Sequence, residues 1–159
     1  YVSALNGLGA SLLRLGRLDE ARREYARALR SVSRESRPAI HAFIRANLAR
    51  TLLEGGRFAE AARALEDAAS LFALQGATSD ELTMRLLRVE ALARSGAAAR
   101  ARDAFRSLNE QVRDLGAVDP ELVESLEAAL QGDLPDLDLL GVLRDRAEEQ
   151  ISDRLRRAG

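Results

Sequence analysis

The residues able to do chemistry are few. The chain holds one histidine, His41, and no cysteine, so imidazole catalysis would rest on one residue, and thiol nucleophiles, disulfides and Cys-ligated zinc are excluded. A His-based triad needs a Ser raised on a sharp turn, and no Gly-x-Ser-x-Gly occurs. A two-histidine metal site is impossible, and His41 reads as a polar residue near a helix start. Asn6-Gly7-Leu8-Gly9 has the outline of a glycine-rich phosphate loop. It lacks the third glycine and a preceding strand, and the chain has no Lys for a P-loop. The carboxylates fall beside arginine at helical spacing: Asp19 and Glu20 with Arg23, and Glu60 with Arg63. Those are solvated i,i+3 and i,i+4 pairs rather than a catalytic dyad. We therefore expect no catalytic residue, no metal and no cofactor: the chain is not an enzyme.

The elements that would carry any site are helical. The 159 residues are 47% apolar but only 4% aromatic. The apolar bulk is Ala and Leu, both strong helix formers, and the β-branched residues do not cluster into strand-like runs. The fold class is all-α. A net charge of −1 leaves no nucleic-acid footprint and no membrane-surface field, and no apolar run approaches the length of a membrane span. Every basic side chain is Arg, as expected of a GC-rich genome. The absence of cysteine fits a cytoplasmic protein, and a start at Tyr1 instead of Met reads as part of a longer chain.

Self-comparison gives a period of 40 residues, through Gly16, Gly56 and Gly96. The same offset aligns Leu12, Leu52 and Leu92, then Ala21, Ala61 and Ala101, then Tyr25, Leu65 and Phe105. Each glycine suits a left-handed helix C-cap, and the acids of Asp19-Glu20 suit the first turn of the next helix. Ala21 allows close helix approach, while Tyr25, on the same face, fills the gap. Gly9, unfavourable by about 1 kcal/mol inside a helix, predicts a helix crossing against it. Helices are expected over 2–15, 18–35, 38–54, 58–75, 79–95 and 98–115. Pro38 belongs in a first turn, Thr78 with Glu81 forms a capping box, and Gly76 and Gly116 close two hairpins. In the tail, Asp119 caps a helix reaching Gln131, Gly132-Asp133-Leu134-Pro135 breaks it, and a last helix runs from Asp136 to Arg157. Its stripe is Leu140, Leu143, Ala147, Ile151 and Leu155.

Leu8-Gly9, Leu12, Gly16, Leu18, Glu20-Ala21, Tyr25 and Ala28-Leu29 resemble the tetratricopeptide repeat signature. Leu48-Ala49, Leu52, Gly56, Phe58, Glu60-Ala61, Leu65 and Ala68 look like the same pattern. In the third unit Leu92, Gly96, Ala101 and Phe105 fit, but Arg88 and Ala98 replace the Leu8/Leu48 and Leu18/Phe58 residues. The period exceeds the common one of about 34, and such long units resemble those of bacterial signalling regulators, scaffolds and the helper domains of large enzymes. The resemblance implies antiparallel hairpins stacked as a right-handed α-α superhelix. The expected organisation is repeats over 1–37, 38–77 and 78–117 with a helical cap over 118–159, all one continuous domain.

The resemblance also implies that the first helix of each pair lines a concave, partner-binding groove. Ser3, Asn6, Ala10 and Leu13 would contribute from the first unit, and Phe43, Ala46, Asn47 and Arg50 from the second. Thr83, Leu86 and Glu90 would complete it from the third. Asn47 can bond both backbone groups of an extended peptide, as asparagines of long-repeat members do. The family's cationic carboxylate clamp is missing, since Thr83 and Leu87 stand where Lys or Arg is needed and only Asn47 remains. The expected function is binding of a protein or peptide partner within a larger bacterial regulator or effector. Two other readings stay open: a homo-oligomer through the Leu140–Leu155 stripe, and a non-catalytic helper of a signalling NTPase or caspase-like protease.

Overall fold

The computed structural model describes residues 1–157. Among them are eight helices and no strand: α1 (Val2–Arg14), α2 (Leu18–Arg30), α3 (Pro38–Glu54), α4 (Phe58–Leu74), α5 (Thr78–Arg94), α6 (Ala98–Leu115), α7 (Pro120–Ala129) and α8 (Leu137–Arg157). The first six form three hairpins stacked as an all-helical solenoid. Each second helix packs on its own first helix and on the first helix of the next hairpin.

The period of 40 is written in backbone hydrogen bonds. Gly16 lies in the left-handed region at φ 72°, as do Gly56 and Gly96 at 76° and 82°. This lets the Gly16 N–H reach the Leu13 carbonyl at 3.0 Å and the Arg17 N–H reach the Leu12 carbonyl at 2.9 Å. The paired bonds satisfy carbonyls that the helix end would leave orphaned. Leu52 and Leu92 accept the same bond from Arg57 and Ala97, so the Leu–Gly column is one repeated helix stop.

The crossing expected at Gly9 is present. A Cβ there would lie 2.6 Å from Tyr25 Cε1, so only glycine admits the Tyr25 ring. That ring is 0% exposed, yet its hydroxyl has no hydrogen-bond partner. Burial pushes the phenol up to about 12, the largest of its causes, with nearby Arg14 and Glu54 acting in opposite directions. His41 is also buried with Nδ1 unpartnered, and burial, then Arg45 and Arg34, lowers its pKa.

Several local expectations are corrected. Asp19 pairs with Arg22 at 3.1 Å, Glu20 with Arg17 at 2.6 Å and Glu60 with Arg57 at 2.7 Å, so the acids reach different arginines than Arg23 and Arg63. Thr78 is already helical and makes no capping bond, while Glu81 accepts from Arg85 at 3.0 Å. Asp119 sits at the N-cap of α7 but makes no side-chain cap bond. Its carboxylate instead accepts from Arg154 and from Gln150. α2 stops at Arg30, five residues early, because Ser33 Oγ takes the N–H groups of Glu35 and Ser36 in a local turn. Arg88, which breaks the third unit's pattern, reaches Glu66 of α4 at 3.0 Å and bridges two hairpins.

The tail packs back on the last hairpin. α7 touches α6 lightly, and α8 does not continue the stack. It folds back onto the inner face of α5, where Leu140, Leu143, Ala147 and Ile151 are buried. Leu155 is partly buried against the same core. The stripe is thus buried within the chain, with Ala147 and Ile151 beside Leu86 of α5 and Phe105, Leu108 and Val112 of α6.

These contacts set expected stabilities. Leu52→Ala and Phe105→Ala should each cost about 2–5 kcal/mol in denaturant unfolding, against under about 1 kcal/mol for Arg23→Ala. Gly9→Ala should destabilise by about 1–3 kcal/mol, because overpacking against Tyr25 outweighs the helix-propensity gain. Tyr25→Phe should be neutral or stabilise by up to about 1 kcal/mol, since it removes an unpaired buried hydroxyl. A large loss on Tyr25→Phe would mean that the hydroxyl has a partner.

Candidate binding groove

The repeat places equivalent residues on one open face. Ser3, Phe43 and Thr83 share a column, as do Asn6, Ala46 and Leu86, and Ala10, Arg50 and Glu90. The face is built mainly by α1, α3 and α5, with Phe72 of α4 against Phe43 and with α6 residues beside Leu86. Its character changes along the array. The column after Asn6 reads Gly7, Asn47, Leu87, so polar or small residues give way to leucine in the third unit.

That third section is covered. Leu86 and Glu90 are buried there, which corrects the expectation that they line an open groove, whereas Thr83, little exposed, still lines the channel that runs past Phe43. Leu86 meets Ala147 and Ile151 of α8 around a small apolar void. Thr83 Oγ1 donates to the Ser79 carbonyl of its own helix at 2.9 Å. Glu90, 3% exposed, would be costly to bury alone. Both its oxygens are used: Arg94 Nε donates to Oε1 at 2.9 Å, and Arg144 Nε of α8 donates to Oε2 at 2.6 Å.

From Arg144 the charges alternate onward. Arg144 reaches Glu148 at 3.4 Å and Asp145 at 2.7 Å, and Glu148 accepts from Arg50 of α3. The ladder Arg94–Glu90–Arg144–Glu148–Arg50 therefore stitches α8 across α5 and α3. Burial works to lower the Arg144 pKa, but Glu90, Asp145 and Glu148 outweigh it and leave it raised. Arg94 also donates to the Leu137 carbonyl at 3.2 Å, and Gly141 passes close enough that a Cβ would lie 3.2 Å from Arg94 Nη2. At its other end α8 is tied by Arg154 and Gln150 to Asp119.

The rest of the face is open. Phe43 is 47% exposed and rests edge-on against Phe72, with ring centroids 5.2 Å apart. Ala46 is buried beneath it. Asn47 Nδ2 donates to Asn6 Oδ1 at 3.1 Å, so these two asparagines, from successive units, form one polar element. A channel of about 180 Å³ runs from Phe43, Asn47 and Arg50 to Glu148, Ser152 and Arg156 of α8. Ser3 is exposed, and Ala10 and Leu13 are partly so. Sequence reasoning missed Arg94, Arg144 and Glu148. The signal available was the switch to Leu86 and Leu87 in columns that are otherwise small or polar, which marks an inner face needing cover.

No group of three or more potential metal ligands occurs among the described residues, and no helix there is long and apolar enough to cross a membrane. Two family models described as tetratricopeptide repeat match, one over residues 1–73 and the other over residues 46–112. Neither a curated protein nor a solved structure matches the chain significantly. Between them the family models span all three hairpins as far as α6, and tetratricopeptide repeats generally mediate protein–protein interaction. The chain belongs to the tetratricopeptide repeat family.

Proposed function

We propose that this chain is a non-catalytic protein-binding module whose working surface is the open part of the inner face, over α1 and α3 beside α8. The observation that carries this is Phe43. An aromatic ring left half exposed in a concave channel, with hydrogen-bonding groups around it, has the make-up of a binding anchor. Asn47 and Asn6 spend one N–H and one oxygen on each other. The Asn47 oxygen and the Asn6 amide nitrogen keep capacity for a partner's backbone. Ser3, Ala10 and Leu13 extend the surface toward the first hairpin. Arg50 contributes less than its charge suggests, because Glu148 already engages it.

The partner is thus a protein segment, and the module serves it by holding rather than by reacting. Panning a displayed peptide library on the chain should return binders that weaken by about 2 kcal/mol or more on Phe43→Ser/Asn47→Ala, with an unchanged circular dichroism spectrum. Arg63→Ala/Arg100→Ala, in the cleft between α4, α5 and α6, should leave them within about twofold of wild type. Binders indifferent to the first pair and sensitive to the second would move the working surface to that cleft.

A further inference from the structure

We propose that the inner face of α5 is itself a binding site for an amphipathic helix, and that α8 occupies it in cis until a partner helix of matching pattern takes its place. The proposal rests on the protein-binding reading above and names a second section of the same groove with the chemistry of its ligand.

The seat is specific in two ways. Apolar contact comes from Leu140, Leu143, Ala147 and Ile151, spaced to form one stripe and each buried. Register comes from charge. Arg144 must meet Glu90 and Glu148 must meet Arg50. A helix displaced by one residue or one turn would leave the buried Glu90 carboxylate with Arg94 alone, a costly arrangement. The pattern the site accepts is therefore Leu140-x-x-Leu143-Arg144-x-x-Ala147-Glu148-x-x-Ile151, with a small residue at the place of Gly141, where α8 passes Arg94. An apolar floor with an apolar plug would be sticky toward many helices. The carboxylate on the floor rejects those lacking the arginine.

The way α8 is attached suits exchange. It lies outside the stacked hairpins and is joined to α7, whose C-cap Leu130 is buried, by residues 131–136, which form no helix. In that tether Gly132 takes a φ of 77° and Leu134 is 92% exposed. Withdrawing α8 strands Leu86 and Glu90 in the open groove. The free chain therefore stays closed, and only a helix restoring both the apolar stripe and the Glu90 pairing displaces it. The occupant is the amphipathic helix of another protein with this charge order.

The test uses the full chain and, as probe, a fluorescently labelled synthetic peptide with the sequence of residues 136–157. Leu143→Asp/Ala147→Asp disables the chain's own α8 and leaves the α5 floor intact. This opened chain should bind the peptide saturably and at least about tenfold tighter than the intact chain does. A peptide carrying Arg144→Glu should fail to bind, and Glu90→Gln in the opened chain should weaken the wild-type peptide. An opened chain that folds but ignores the peptide, or that binds the Arg144→Glu peptide equally well, overturns the proposal. So does a dimer of intact chains that exchange α8 with each other in preference to the peptide. Should the opened chain not fold, hydrogen exchange on the intact chain decides. Amides of α8 exchanging well before those of α4 and α5 support the proposal, and α8 exchanging only with the core refutes it. If the peptide fails while Phe43→Ser/Asn47→Ala still abolishes library binders, exchange at α5 is wrong and the open channel stands.

Discussion

A carboxylate on the floor of a groove, shut away from water, must be paired, and Glu90 is in that position. Arg94 of its own helix supplies one guanidinium, and the second comes from Arg144, 54 residues further along the chain. Much of the tail's placement is arranged around that requirement. Gly141 lets the α8 backbone pass the Arg94–Glu90 pair, Arg94 holds the first carbonyl of α8, and Glu148 carries the alternation across to Arg50. The apolar stripe of α8 supplies the bulk of the burial, but leucines alone would tolerate several registers. The ion pairs select one, which is the best-attested use of buried charge.

The ladder works only because the hairpins put Arg50 and Glu90 in the same column, one unit apart. That spacing comes from a helix stop repeated at Gly16, Gly56 and Gly96, whose left-handed backbone lets the next residue bond back to a leucine carbonyl. It also depends on close helix approach, tightest where Tyr25 lies against Gly9. The inner face built in this way is one surface chemically graded along its length. Toward α1 it offers Asn6 and small residues, at α3 it has Phe43 and Asn47, and along α5 it runs from Asp80 and Thr83 at the channel to leucine around the buried Glu90. Its open part remains polar enough to stand in water, while the α5 part needs a helix over it.

The repeat was legible because its determinants are local. Glycine, leucine, alanine and aromatic columns at one offset report helix stops and close approaches within a hairpin, and the three hairpins follow. α2 ended five residues early since Ser33 captures nearby amides, a turn that competes with the helix and carries no periodic signal. The exposed ion pairs were misassigned because each first-turn acid has more than one arginine at helical spacing: Asp19 takes Arg22 over Arg23, while Glu20 and Glu60 reach back to Arg17 and Arg57. The family resemblance pointed to α1 and α3 for the inner face, but the seat of α8 carried no such pointer. Its stripe was visible, yet a stripe states only that a helix needs cover, not which surface covers it. The switch from Asn6 and Ala46 to Leu86, and from Asn47 to Leu87, was the long-range clue, and it acquires meaning once Arg144 is seen above Glu90.

The central claim, that α8 is held on α5 by a buried charge contact fixing its register, is tested most directly by a double-mutant cycle. Denaturant unfolding of the wild type, Glu90→Gln, Arg144→Gln and the double variant gives the coupling between the two side chains without reference to any partner. The account predicts a coupling of at least about 1 kcal/mol, within the range for directly contacting residues. Two single-variant losses that add to within about 0.3–0.5 kcal/mol, the behaviour of independent sites, would place α8 elsewhere and contradict the account.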